Sequence, residues 1–318
     1  MGRNRCMRAA GRITGVVAAL AVAGCARPLD LDGALSVVAF ELQPSGRIIV
    51  DVELNGRGPY RFAVDTAATG SFLFARARRE LALEPVPAIT ATVHGAVASG
   101  SFPVVDIERL TLGRETWTGA RLIALPGDTG ATATIDGVLG ADFLRRYVTA
   151  FSARERSLRL YAPDTVDAVT YREWATIALE PKFIGESEEP LHFLEIAIAG
   201  RSVPALFDLG AGLSVLNPPA AQVLRLSTAR DGESGEFSGA VGNVPVLAQF
   251  RTQQVRTGRV RWRNETFLIT DLEIFETLQS ADSPLAILGS GLFNQRDFII
   301  DFARSRLLVR ASMTEIEQ

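Results

Sequence analysis

The chain of 318 residues is poor in the side chains that most often hold metals or crosslinks. Its only histidines are His94 and His192, and they form no ligand-spaced cluster, which argues against a zinc site. A Ser-His-Asp triad would need one of these two, and no G-x-S-x-G turn is present. Glycine patterns of phosphate-binding loops are also missing. The sequence therefore predicts no metal and no organic cofactor.

The chain also has no large excess of positive or negative charge. The formal net charge is −3, and no long run of like charges occurs, so nothing favours a nucleic-acid partner. Lys182 is the single lysine, and nearly all positive charge is arginine. Beyond the N-terminus no apolar run reaches the length of a membrane-spanning helix, so none is predicted.

The N-terminus has the pattern of a targeting segment. Four arginines precede an apolar stretch at residues 13–23, which is followed by Gly24 and Cys25. Small residues before a cysteine resemble the lipobox of bacterial lipoproteins, which implies cleavage after Gly24 and lipidation of Cys25. The alternative is an ordinary signal peptide with an accidental cysteine. Because Cys6 lies in the removed segment, no disulfide is expected in the mature domain.

The lipobox resemblance also implies a location. The protein is expected in the bacterial cell envelope, held to a membrane by Cys25 and facing the periplasm. Ala26 is not the aspartate that retains such proteins at the inner membrane in enteric bacteria, which favours the outer membrane.

One motif occurs twice in the remaining chain. An apolar segment ends in an aspartate and a turn of small residues, first at Phe62–Gly70 and again at Ala205–Leu213. Each copy is followed, at a similar distance, by two apolar residues and a glycine, at Val138–Gly140 and Ile287–Gly289. Such a duplication predicts two equivalent halves with one aspartate each.

Short β-branched segments with frequent turns predict a mostly β fold. Asn55-Gly56 and Ala199-Gly200 are expected to close equivalent hairpins before each aspartate. Helical signals are few, at residues 75–83 and 218–226. Asp301 is expected in a closing strand near the surface.

The duplicated motif resembles that of the aspartic proteases, especially the bacterial retropepsin-like group, over nearly all of the mature chain. The family motif is Asp-Thr/Ser-Gly-Ala/Ser, followed later by two apolar residues and a glycine. The resemblance implies two homologous β-barrel-like lobes with an active-site cleft between them. The expected organisation is a signal peptide at 1–24, a tether at 25–36, an N-terminal lobe at 37–162, a linker at 163–173 and a C-terminal lobe at 174–318.

The resemblance also assigns roles. Asp65 and Asp208 would share one proton and activate a water molecule, supported by a set of neighbours: Thr66, Ala67, Gly210 and Ala211. Two departures stand out, since Leu209 replaces a hydroxyl residue and Ala67 replaces a glycine. The alternative for each aspartate is a simple cap of a turn after a strand.

Glycine-containing segments in both halves are candidates for flap hairpins over the cleft. The flap candidates are His94, Gly95 and Gly100 in the first half and Gly239 and Gly242 in the second. The alternative is an ordinary surface turn in each half.

The resemblance implies an aspartic endopeptidase that hydrolyses an extended peptide or protein substrate. Because both halves lie in one chain, the pair of aspartates needs no dimer, and a monomer is expected. One alternative is a catalytically degenerate lobe pair that binds a peptide or envelope partner, which Leu209 and Ala67 favour. Another is a purely structural lipoprotein.

The lipid anchor can be tested directly. Cys25→Ala is expected to abolish lipid modification and to move the protein from the membrane to the soluble fraction, because the acylated thiol is lost. Intact mass spectrometry and fractionation measure both effects, with Cys6→Ala as the control. Continued membrane association of the Cys25→Ala protein would contradict the anchor.

Overall fold

The computed structural model describes residues 33–96, 99–126, 133–163, 174–185, 187, 189–226, 236–238 and 243–311. Within these residues the chain is mostly β, with two barrel-like lobes of the retropepsin type, as the sequence predicted. The leader and Cys25 lie outside the described residues. So does the predicted linker apart from Pro163, and the lobe boundaries stay predictions.

The described residues of the first lobe form ten strands and two short helices. They are β1 (Ser36–Leu42), β2 (Ile48–Leu54), β3 (Arg57–Val64), β4 (Phe72–Phe74), α1 (Ala75–Glu80), β5 (Thr90–His94), β6 (Ser99–Leu112), β7 (Glu115–Leu125), β8 (Gly137–Leu139), α2 (Ala141–Leu144), β9 (Val148–Ser152) and β10 (Ser157–Tyr161).

The second lobe contributes fourteen described strands, two α-helices and two 3-10 turns. They are β11 (Trp174–Ala178), β12 (Glu180–Lys182), β13 (Leu191–Ile198), β14 (Arg201–Phe207), β15 (Ser214–Leu216), α3 (Pro218–Val223), β16 (Glu236–Ser238), β17 (Asn243–Pro245), β18 (Ala248–Arg251), β19 (Gln254–Thr257), β20 (Val260–Arg263), β21 (Thr266–Ile269), α4 (Glu273–Thr277), β22 (Ala286–Leu288), the 3-10 turn Ser290–Leu292, β23 (Phe298–Asp301), the 3-10 turn Phe302–Arg304 and β24 (Arg306–Arg310).

Equivalent hairpins lead to the two motifs. Asn55 and Gly56 join β2 to β3 with φ angles of 53° and 72°, and Ala199 and Gly200 join β13 to β14 with 49° and 77°. Two consecutive positive φ angles fit the twist of a tight two-residue hairpin. The predicted turns are therefore confirmed at both positions, and they fix the register in which β3 and β14 reach their aspartates.

The apolar-apolar-glycine segments lie directly beside the motif strands. β8 is parallel to β3 and antiparallel to β4, and β22 is parallel to β14 and antiparallel to β15. A side chain at Gly140 would come within 2.7 Å of the Gly70 carbonyl oxygen, and one at Gly289 within 2.6 Å of that of Leu213. Glycine is required in each half because backbone crosses backbone there.

The larger described sheet has 13 strands and runs through both lobes, in the order β11-β24-β23-β9-β10-β1-β2-β3-β8-β4-β7-β6-β5. Its first six strands form an inter-lobe sheet, in which the pairing of β9 with β23 crosses from one lobe to the other. Phe151 and Phe298 are directly opposite in that pairing, and their rings stack at a centroid distance of 4.5 Å. Hydrogen bonds and ring packing together hold the lobes in a fixed relation beneath the cleft.

Asp301 corrects an expectation. It ends β23 as predicted, but its side chain is fully buried because β23 is a central strand of the inter-lobe sheet. Arg306 Nε donates to Asp301 Oδ2 at 2.9 Å, and Arg304 Nη1 lies 3.4 Å from the same oxygen.

None of the helices in the described part of the chain has the length and apolar character of a membrane-spanning helix.

Removing the Asp301 carboxylate should be costly. We expect Asp301→Ala to lower the free energy of unfolding by about 3 kcal/mol, because it leaves Arg306 without its buried partner. Glu41→Ala breaks the exposed pair with Arg61 and should cost much less, because water and salt screen an exposed ion pair. Denaturant unfolding measures both variants, and equal losses would contradict this assignment of the buried pair.

Candidate active site

Asp65 and Asp208 lie at the junction of the two lobes. Each follows its motif strand, and its backbone N–H donates to the neighbouring strand, Asp65 to Leu139 and Asp208 to Leu288, both at 3.0 Å. The two carboxyl groups are close enough to share a hydrogen bond. The structure thus brings together the two aspartates that the sequence selected.

Backbone amides of the following turns point at the carboxylates. Asp65 Oδ1 accepts from the N–H groups of Ala67 at 2.8 Å and Ala68 at 2.9 Å. Asp208 Oδ1 accepts from the N–H of Ala211 at 2.9 Å. Such bonds favour the ionised form and fix the orientation of each carboxyl group.

The surroundings shift the pKa values of the two aspartates, and the causes differ between them. Burial raises the pKa of both, and the charge of Asp65 adds to this effect at Asp208, whose pKa rises to about 8. At Asp65 the amides of Ala67 and Ala68 oppose the increase. The two carboxyl groups therefore titrate as a pair, and the direction of these effects makes Asp208 the member that keeps the last proton to higher pH.

Thr66 ties the first lobe to the second. Its fully buried hydroxyl donates to the Phe207 carbonyl at 2.8 Å and accepts from the Leu209 N–H at 3.0 Å. Leu209 is itself fully buried and belongs to the hydrophobic core, so it cannot return a hydroxyl bond. One hydroxyl instead of two therefore bridges the lobes at the aspartates.

Gly210 and Ala67, the third residues of the two motifs, differ in what they permit. A side chain at Gly210 would come within 2.2 Å of Asp65 Oδ2, so only glycine fits there. The backbone at Ala67 does not adopt a positive φ, and its methyl packs against an apolar cluster of the second lobe. The alanine is therefore accommodated without strain.

The aspartates lie at the base of a cleft of about 940 Å³. Apolar side chains of the first-lobe wall include Phe72, Ile123 and Val138. Apolar side chains of the second-lobe wall include Leu191 and Ile287. Both aspartates are partly accessible from the cleft, so a water molecule and a substrate can reach them.

The predicted first-half flap is a hairpin along this cleft. β5 and β6 form it, with His94 opposite Ser99 and Gly100 opposite Val93. His94 and Gly95 line the cleft, and the carbonyl of Ala96 accepts from the Ile274 N–H of the second lobe at 3.5 Å. Of the first-half flap candidates, His94 and Gly95 therefore line the cleft and Gly100 lies in the paired strand β6, while their role as a flap stays a prediction.

The second-half flap candidates stay predictions. Gly239 and Gly242 lie outside the described residues, between the paired strands β16 and β17.

In the part of the chain that the structure describes, no group of three or more His, Cys, Asp or Glu side chains is arranged to hold a metal ion.

Arg47 is a site residue that sequence reasoning missed. It lines the cleft, and its Nε donates to the Gly210 carbonyl at 3.0 Å. Its charge lowers the pKa of both Asp65 and Asp208, against the larger effect of burial. In the sequence it is one arginine among many, and only the strand register would have indicated its position.

Two β lobes that meet at a pair of aspartates define the bilobal class of aspartic-protease folds. The chain belongs to the aspartyl protease family, whose model matches residues 50–143 and 194–292, more than half of the chain. Each matched segment contains one aspartate of the pair and its apolar-apolar-glycine partner. A search of curated proteins finds no match.

The Thr66 bridge can be tested by an isosteric pair of variants. Thr66→Val should lower the free energy of unfolding by about 2 kcal/mol, because it leaves the Leu209 N–H and the Phe207 carbonyl buried without a partner. Thr66→Ser keeps the hydroxyl and should retain most of the stability. Denaturant unfolding compares the two, and equal stability of the valine and serine variants would refute the bridge.

Proposed function

We propose that this protein is an aspartic endopeptidase, with Asp65 and Asp208 as its catalytic residues. The observation that carries the proposal is the close approach of two carboxyl groups that line one open cleft, so close that each affects the pKa of the other. Two carboxyl groups that share one proton supply a base and an acid at the same place.

Each aspartate has a part in the proposed reaction. Ionised Asp65 removes a proton from a water molecule held between the carboxyl groups, and the water oxygen attacks the carbonyl carbon of the peptide. Asp208 donates its proton to the carbonyl oxygen, which gives a neutral tetrahedral diol. The C–N bond then breaks as the proton on Asp65 passes to the amine, and a diol hydroxyl returns a proton to Asp208.

The substrate fits as an extended peptide. β5 is the terminal strand in the order of the larger described sheet, and all its residues line the cleft. A strand edge offers backbone hydrogen bonds to an extended peptide. The apolar walls beside the aspartates favour apolar side chains next to the cleaved bond.

A second candidate is a lobe pair that binds a peptide without cutting it. Leu209 favours this alternative, because it removes half of the cross-lobe hydroxyl contacts that hold the aspartates. In that case Asp65→Asn and Asp208→Asn should leave peptide affinity unchanged.

The place of action is proposed from the leader sequence. The protein would work at the cell envelope as a monomer, anchored through Cys25 and facing the periplasm, with the outer membrane favoured by Ala26. Peptides or proteins of that compartment would be the substrates.

Cleavage of a diverse peptide pool by the purified protein, read by mass spectrometry, tests the catalytic proposal. Asp65→Asn and Asp208→Asn should each lower kcat/KM by about a thousandfold or more, because each removes the base or the acid. Asp106→Asn changes an exposed aspartate and should leave activity unchanged. A folded wild-type protein that cleaves no peptide at any pH would contradict the proposal.

The pH dependence of activity in the wild-type protein provides a further check. Asp208 acts as the acid only while protonated, so activity should persist to neutral pH and fall as the pH rises through about 8. Initial rates from acid to alkaline pH measure this limb. An alkaline limb near the ordinary pKa of an aspartate would contradict the assignment of the shared proton.

A further inference from the structure

The second lobe lacks the hydroxyl that would complete the cross-lobe contacts, yet another contact from the first lobe reaches the same turn. Arg47 lies at the end of the β1–β2 loop, and its Nε donates to the Gly210 carbonyl at 3.0 Å. Gly210 directly follows Leu209, and its backbone packs against the Asp65 carboxylate so closely that no side chain fits between them. A contact that fixes Gly210 therefore also fixes the space that Asp65 occupies.

The loop that carries Arg47 is itself held in place. The Gln43 N–H donates to the Arg47 carbonyl at 3.0 Å, and the Gly46 N–H donates to the Gln43 carbonyl at 2.8 Å. The Gly46 carbonyl accepts from Ser290 Oγ at 2.8 Å and from Asn294 Nδ2 at 2.9 Å, both in the second lobe. Arg47 thus extends from a closed loop that is bonded to the opposite lobe.

The position equivalent to Arg47 in the second half is held by an apolar residue. Ile49 pairs with Ala63, two residues before Asp65, and Phe193 pairs with Leu206, two residues before Asp208. The position two residues before Ile49 is Arg47, and the position two residues before Phe193 is Leu191. Both line the cleft, one as a cation and the other as a buried apolar residue.

We propose that Arg47 is a positioning residue of the aspartate pair, replacing the cross-lobe contact that Leu209 cannot make and placing a positive charge beside both carboxyl groups. The inference rests on the proposed function only for the kinetic measurements that test it. Three other ionisable side chains line the cleft, namely Asp142, Glu189 and His94. Arg47 is the cation whose charge opposes protonation of both Asp65 and Asp208.

Three variants separate the bond from the charge. Arg47→Met removes both, Arg47→Gln keeps an N–H donor without the charge, and Arg47→Lys keeps the charge. Arg47→Met should lower kcat about a hundredfold with little change in KM, because the pair loses its alignment. Removing the cation makes the shared proton harder to lose, so Arg47→Met and Arg47→Gln should move the alkaline limb up by about 1 pH unit. Arg47→Lys should keep the limb of the wild type.

The control is Arg259→Gln, which removes an exposed arginine from the turn between β19 and β20 and should change neither rate nor limb. A wild-type kcat and pH limb in Arg47→Met would overturn the proposal. A raised KM alone would overturn it too, since that result would make Arg47 a substrate-binding residue.

Carboxyl carbon NMR of Asp65 and Asp208 supplies a readout that needs no activity. Titration should show the last proton of the pair retained to higher pH in Arg47→Met than in the wild type. If no peptide is cleaved, this titration still decides the role of Arg47: a higher pKa supports it, and an unchanged pKa refutes it. Failure of the protease proposal and failure of this inference are therefore distinguishable.

Discussion

The close approach of two carboxyl groups at the lobe junction is the constraint on which the rest of the structure depends. Like charges that close cannot both ionise, so one proton must be held between Asp65 and Asp208. Burial opposes ionisation, while backbone amides favour it at fixed atoms. The hairpins, the crossing glycines and the inter-lobe sheet all serve to hold two short turns in this contact.

The two halves meet this constraint with different side chains. Thr66 makes both of its bonds across the junction, while Leu209 turns into the core. Gly210 lies against Asp65, and on the other side Ala67 packs its methyl into the second lobe. The duplication preserves the backbone arrangement more strictly than the side chains, because close backbone approach permits few alternatives whereas a cross-lobe contact can be made in several ways.

Much of this could be predicted from residues that act locally. Asn55-Gly56 indicates its own turn, and the repeated aspartate and glycine motifs indicate two equivalent halves with a paired site. What could not be predicted depends on contacts distant in sequence. Asp301 is buried because β23 happens to be flanked by strands on both sides, and Arg47 reaches Gly210 across 163 positions of sequence. Neither is visible in a local pattern.

The shared proton is the central claim, and neutron diffraction can locate it directly. Crystals of the unliganded protein would be grown at about pH 6, where the pair should hold one proton. The account predicts a single deuterium in the Asp65–Asp208 contact, bound to Asp208, with Asp65 ionised. Two ionised carboxylates, or carboxyl groups too far apart to share a hydrogen bond, would contradict it.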